Sequence, residues 1–306
     1  MSTVVRFTAE LSAWLVHGLD RGQAPAALVQ IMIEQRMDPR VARAIVDAFV
    51  LARRHGHAPP IDSLVIEEAP PDYAIERPRL ARSSRVVTSD RVVPVLARSE
   101  APVLAVLGNL LTEAECARLI ELARPRLRPS TVVSPDSGAD VITTERTSFG
   151  MFFRLQENPF IAELDARVSE LMKLPIENGE GFQVLHYPAG AETMPHFDFL
   201  QPSNDANRAS LARSGQRVST LIAYLNDVEQ GGETVFPKLG LAVIPQRGSA
   251  VYFEYCNSRG QVDHSTLHGG NPVVSGEKWL ATKWMRERRF VPASGSSSDG
   301  MPATGG

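Results

Sequence analysis

The sequence predicts a mostly β protein with flanking helices (α+β), an antiparallel sandwich or barrel that follows an N-terminal helical region. Three observations carry this. After Pro175, short runs rich in β-branched and aromatic residues follow one another, punctuated by Gly, Pro and Asn. Before them, residues 8 to about 54 hold apolar side chains at helical spacing. Between these parts, residues 58–100 are crowded with Ala58-Pro59-Pro60, Ala69-Pro70-Pro71 and Arg77-Pro78, which break regular structure.

In chain order, Thr8 caps a helix carrying Leu11, Trp14, Leu15 and Leu19, which Gly22 ends. Pro25 suits the first turn of a second helix, and Asp38-Pro39 is a cap-then-proline start for a third with Val41, Ile45 and Phe49 on its apolar side. These helices form a region over 1–57, a packing appendage or a docking surface. His17, His55 and His57 lie there without carboxylates or cysteines at ligand spacing. Residues 58–100 read as a Pro-rich linker with short strands near Val86 and Val92. The second domain spans 101–292. Thr112-x-x-Glu115 is a capping box for a helix over 110–123, and Asn158-Pro159 opens another running to Lys173. Strands are expected at 146–154, 182–187, 196–200, 218–225, 233–236, 241–244, 250–255, 266–268, 273–274 and 278–285. The Ser- and Gly-rich tail, 293–306, is expected to be disordered.

The bulk numbers narrow the function. Hydrophobic content is 43%, charged content 22% and net charge −3, so no nucleic-acid or acidic-membrane partner is expected. Cys116 and Cys256 are too few and too far apart for a disulfide framework. Residues 1–14 lack a basic stretch followed by an apolar core, and no run is long enough to span a bilayer. The expected location is cytoplasmic.

The chemistry centres on Met194-Pro195-His196-Phe197-Asp198-Phe199. On a strand, His196 and Asp198 project from one face. A distant histidine would complete a 2-His-1-carboxylate triad that leaves positions open on Fe(II) for substrate and oxygen. His268 is the preferred third ligand. His264 competes through His264-x-x-x-His268, but Asp263-His264-Ser265-Thr266 reads as a turn. Lys278 heads an apolar strand ten residues after His268. It is either a solvated strand-end lysine or a buried cation that requires an anion such as a small carboxylate.

Several further segments carry a family resemblance. These are Arg146-Thr147-Ser148-Phe149-Gly150, Gln183-Val184-Leu185-His186-Tyr187, Pro195-His196-Phe197-Asp198, the stretch from Tyr224-Leu225-Asn226-Asp227 through Gly231-Gly232-Glu233-Thr234-Val235-Phe236-Pro237, and the stretch from His268-Gly269-Gly270 to Gly276-Glu277-Lys278-Trp279. Residues 101–290 thereby resemble the prolyl 4-hydroxylase family of Fe(II)- and 2-oxoglutarate-dependent dioxygenases. The resemblance implies a double-stranded β-helix (jelly-roll) core, with Fe(II), 2-oxoglutarate and O2 as cofactors and ascorbate as a supporting reductant. By position it implies His196, Asp198 and His268 as iron ligands. It places Lys278 on the distal carboxylate of 2-oxoglutarate, Tyr187 and Thr234 as hydrogen-bonding residues around it, and Glu180, Arg217 and Trp284 on the peptide-substrate side.

Two positions depart from the pattern. Thr193 stands where the family usually carries a tyrosine that contacts the target proline. Arg286 stands where collagen-type and plant-type enzymes carry histidine. Thr193 is shorter in reach and Arg286 adds a permanent charge. The reaction expected is therefore hydroxylation of an unactivated carbon, of a peptidyl residue such as proline. A free amino acid or small metabolite, held by a charged anchor near Arg286, is the alternative. A non-catalytic β-helix binding module is a third reading, which the retained triad and Lys278 argue against.

Overall fold

The structure is a computed structural model that describes residues 2–54, 58–67, 73–130, 132–133, 140–141 and 148–293. It divides into two compact units, residues 1–72 and 73–306.

In the first unit the three helices form as expected: α1 (Ala9–Asp20), α2 (Pro25–Glu34) and α3 (Pro39–Arg54). The Thr8 hydroxyl accepts from the Leu11 amide, and the Asp38 carboxylate accepts from the amides of Arg40 and Val41, so local caps start α1 and α3. Leu15, Leu28, Met32, Ile45 and Phe49 make its core. One element was not expected. Ser2–Arg6 is a strand paired antiparallel with Ser63–Glu67, so the unit reaches beyond residue 57. His17 is exposed; His55 and His57 lie outside the described residues.

The second unit is built on two antiparallel sheets. The larger has nine strands in the order Arg85–Val87, Val92–Glu100, Val103–Leu107, Ala250–Glu254, Arg217–Tyr224, Lys278–Arg286, Gln183–Tyr187, Phe149–Phe152 and Arg128–Pro129. The smaller has four: Thr193–His196, His268–Gly270, Thr234–Phe236 and Leu241–Val243. Side chains from both line one pocket, so this is the expected jelly roll with the pocket between its sheets. Among the described residues three α-helices accompany it: α4 (Glu113–Ala123), α5 (Pro159–Met172) and α6 (Asp205–Ser214). The capping box at the start of α4 is complete, with both the Thr112 and Glu115 side chains bonded to backbone. Helix α6 was not expected. Its buried residues are Asn207, Ser210 and Ser214, polar side chains that give no apolar stripe.

The expected linker over 58–100 is corrected. Ser63–Glu67 belongs to the first unit, and residues 85–100 extend the nine-stranded sheet. The prolines at 59, 60 and 78 lie outside these strands, and those at 70 and 71 lie outside the described residues. Pro94 lies inside one, next to the register shift between Val95 and Ala97, where a missing N–H is tolerated. Val86 and Val93 are buried, and Arg167 on α5 holds Asp90 at 2.6 Å while also binding Glu115. The second unit therefore begins near residue 73 rather than 101. Apart from Ala293, the tail expected to be disordered lies outside the described residues.

Candidate active site

His196 ends one strand of the smaller sheet and His268 begins its neighbour; the two are direct register partners. Asp198 lies in a bend just beyond the strand, so its juxtaposition with His196 does not come from strand alternation. The pairing around Pro195 is already irregular, and the chain turns before a second strand residue could follow. The bend nonetheless brings the ligand atoms of His196, Asp198 and His268 within 4.8 Å of one another. Among the described residues this is the one such cluster of histidine, cysteine and acidic groups.

The surroundings prepare these atoms for a metal. His196 Nδ1 lies 2.9 Å from the Met194 carbonyl, and His268 Nδ1 lies 3.1 Å from the Thr266 carbonyl. A carbonyl only accepts, so each Nδ1 carries the proton and each Nε2 turns a lone pair toward the cluster. Those Nε2 atoms lie 3.7 and 3.5 Å from the two Asp198 oxygens. Burial alone would raise the Asp198 pKa. His268 and His196 in their protonated forms, with Arg217 and a hydrogen bond from Thr220, hold it below the ordinary carboxylate value. Thr220 Oγ1 donates to Asp198 Oδ2 at 2.7 Å and lies 2.9 Å from the Tyr255 hydroxyl. His264 stands outside the cluster, its ring edge against Phe197 and Phe199.

Across the pocket Lys278 is 3% exposed, yet among the described residues its ammonium makes no hydrogen bond or ion pair. It lies 5.6 and 5.8 Å from the ring centres of Tyr187 and Tyr224, both favourable cation–π distances. Burial pushes its pKa down to about 8, partly offset by Glu233, whose carboxylate accepts instead from Asn271. Tyr187 and Thr234 line the same pocket. A carboxylate donor between two imidazoles, a few residues' width from an unpartnered buried ammonium, fits a divalent metal together with a small dianion.

Residues 182–286 match the family model described as the 2OG-Fe(II) oxygenase superfamily. Probable prolyl 4-hydroxylase 10 of Arabidopsis thaliana is 39% identical over 209 residues, covering 62% of this chain and 70% of that protein. This chain belongs to the prolyl 4-hydroxylase-like family of 2OG-Fe(II) oxygenases. It is accordingly a 2-oxoglutarate- and Fe(II)-dependent dioxygenase. Prolyl 4-hydroxylase 1 of the same plant is 40% identical over 205 residues, covering 62% of this chain and 71% of that protein. Among solved structures, a viral collagen prolyl hydroxylase of Paramecium Bursaria Chlorella virus-1 in a 2OG complex is 28% identical. That match covers 60% of this chain and 95% of that one, with a TM-score of 0.48.

The residues expected on the substrate side are distributed unevenly. Thr193 and Trp284 line the pocket. Glu180, Arg217 and Arg286 are buried away from its wall and bind one another. Arg217 grips Glu180 with two hydrogen bonds of 2.8 and 2.9 Å, and Arg286 adds a third at 3.1 Å. The Arg217 guanidinium stacks 4.1 Å from the Trp284 ring and donates at 3.4 Å to the Asp198 carbonyl. These cations thus support the floor beside Asp198 and Trp284. Arg146 and Thr147 of the expected motif lie outside the described residues; Ser148 is buried against Ser130. Sequence reasoning missed Thr220 and Tyr224. The signal for both is a hydroxyl on the same alternation of the strand Arg217–Tyr224 as the pocket-lining Ile222.

Proposed function

We propose that this dioxygenase hydroxylates a prolyl residue within a peptide. His196, Asp198 and His268 hold Fe(II), and Lys278 with Tyr187 and Thr234 holds the distal carboxylate of 2-oxoglutarate. The observation that carries the site assignment is the convergence, in one pocket, of the two Nε2 lone pairs and the Asp198 carboxylate with a buried ammonium that has no anionic partner among the described residues. When bound, iron and 2-oxoglutarate supply the oxidising chemistry, in which O2 is consumed, 2-oxoglutarate leaves as succinate and carbon dioxide, and the target carbon gains a hydroxyl. The chain's own residues hold and orient. Two backbone carbonyls fix the imidazole tautomers, Thr220 orients Asp198, and the apolar walls of Leu185, Ile222 and Leu280 exclude water.

The peptide reading is supported by the relatives named prolyl 4-hydroxylases. It is further supported by Arg286. The alternative of a free amino acid needs that charge as an anchor, but its side chain is 1% exposed and its terminal nitrogens are engaged by Glu180 and Ser210. Trp284 offers the substrate a surface rather than a charge. Ascorbate is the proposed reductant. A cytoplasmic location belongs to the same reading, since both cysteines are free and buried, which suits a reducing compartment. Among the described residues no helix is long and apolar enough to cross a membrane.

The test is turnover with Fe(II), ascorbate and 2-oxoglutarate. Succinate formed in step with hydroxyproline in a proline-rich peptide, and not with free proline, is the expected result. Succinate formed only with free amino acids would overturn the peptide assignment. A pH dependence accompanies it. The free Lys278 ammonium loses its proton as pH rises through about 8. Since 2-oxoglutarate needs the cation, its affinity falls above that pH by about tenfold per unit. In the ligand-free protein the same group acts oppositely. Between about 8 and about 10.4 the unfolded chain holds a proton that the native one has lost, so stability rises with pH. Calorimetric titration across this range checks the first statement and denaturation midpoints check the second.

A further inference from the structure

We propose that Tyr224 and Thr193 are positioning residues for the cosubstrate. Each donates its hydroxyl hydrogen to a neighbouring pocket hydroxyl, so that Thr234 and Tyr187 both turn as donors toward the distal carboxylate beside Lys278. The proposal rests on the reading of Lys278, Tyr187 and Thr234 given above.

Tyr224 is fully buried and lies outside the pocket wall. Its hydroxyl donates to Thr234 Oγ1 at 2.7 Å, the single hydrogen bond made by that hydroxyl among the described residues. Thr193, at the position expected to face substrate, instead donates to the Tyr187 hydroxyl at 2.9 Å. A hydroxyl has one hydrogen to give and two lone pairs to receive. Once Tyr224 and Thr193 have given theirs, the hydrogens of Thr234 and Tyr187 remain, and among the described residues neither finds a protein acceptor. Both hydroxyls line the pocket that holds the unpartnered Lys278 ammonium. Three donors without an acceptor define a carboxylate subsite and disfavour any group that must itself donate.

The backbone leaves room for that group. A Cβ at Gly270 would stand 3.6 Å from Lys278 Nζ and 3.9 Å from Thr193 Cβ, so a side chain there would occupy the space between them. Tyr224 serves the subsite twice, its ring 5.8 Å from the Lys278 ammonium and its hydroxyl on Thr234. A Tyr224→Phe change keeps the first contact and removes the second. Thr193 is thereby assigned to the cosubstrate side of the pocket.

The test is calorimetric titration of Mn(II)-loaded protein with 2-oxoglutarate and with 2-oxobutanoate, a 2-oxo acid without the distal carboxylate. Tyr224→Phe and Thr193→Val are each expected to weaken 2-oxoglutarate binding by about three- to tenfold while leaving 2-oxobutanoate unchanged. Thr193→Ser, which keeps the hydroxyl, is expected to restore full affinity. Thr193 is half-buried, so its variants carry the test if Tyr224→Phe fails to fold. Wild-type protein that does not prefer 2-oxoglutarate would overturn the assignment of Lys278 itself. Wild-type preference combined with unchanged variants, or with equal losses for both acids, would overturn the positioning role alone.

Discussion

Replacing His268 with alanine is expected to remove iron and turnover together, with succinate formation down by more than about 100-fold. That bound follows because loss of an outer partner alone typically weakens a metal site by about 10- to 100-fold, and His268 supplies a ligand atom itself. Its Nε2 lies 3.5 Å from Asp198 Oδ2, and among the described residues the cluster holds no histidine beyond His196 to replace it. The ring also packs against Phe253 and Phe236, with centres 4.7 and 5.7 Å away, so alanine leaves a cavity as well. A His268→Gln variant fills more of that space and separates the two effects. Equilibrium dialysis of Fe(II) and a succinate assay give the readout. Full turnover with normal iron content in His268→Gln would place the third ligand elsewhere.

The largest effect on stability is expected on the opposite face of the nine-stranded sheet. Lys283 alternates with the pocket residues Thr282 and Trp284 and turns away from them, to meet Asp165 on α5 at 2.6 Å. The exposures are 1% and 0%, so neither charge has access to water. The second Asp165 oxygen accepts from the Gln156 amide. Asp165→Ala therefore leaves a buried ammonium and a backbone N–H without partners, at a cost of about 3–5 kcal/mol. A double change to Asp165→Leu and Lys283→Met is expected to regain most of this, because burying two charges is itself unfavourable. The deficit in Asp165→Ala should shrink as pH rises, since burial already holds the Lys283 pKa below the ordinary lysine value and a neutral amine needs no counter-ion. Urea midpoints across pH measure both statements. A loss under about 1 kcal/mol in Asp165→Ala would show that the pair does not anchor α5 to the sheet.

Much of the site is legible in the sequence because its chemistry resides in few side chains. His196, Asp198, His268 and Lys278 are rare residue types in apolar surroundings, and all four meet in one pocket. The helix starts were legible for the same local reason, since Thr8, Asp38, Thr112 and Asn158 act on backbone amides two or three residues away. Other features are not local. Ser2–Arg6 becomes a strand through pairing with residues some sixty positions on, which no window of sequence contains. Helix α6 is held by buried polar groups, including Ser210, which receives Arg286. Asp198 reaches His196 through a bend rather than a pleat. The cluster of Glu180, Arg217 and Arg286 illustrates the limit most plainly. Its residue types are visible in the sequence, but the sharing of one carboxylate by two guanidinium groups depends on a fold that joins positions 180, 217 and 286.

The strand Val92–Glu100 also decides where the chain can be cut. It covers one edge of Val103–Leu107, whose other edge is already taken by Ala250–Glu254. A chain begun at residue 101 would bare that edge on an apolar strand, a template for other chains to pair with. Among the described residues the sheet ends instead on three residues, Arg85–Val87, at one side and two, Arg128–Pro129, at the other. Edges so short, carrying arginine or proline, recruit few neighbours. A chain begun at residue 73 keeps that cover. It also keeps the bonds of Ala74 to Asn257 and Gln261 and of Arg79 to Glu254, which seat its first residues. Trimming to 101 should accordingly yield aggregates on size-exclusion chromatography, while trimming to 73 should not.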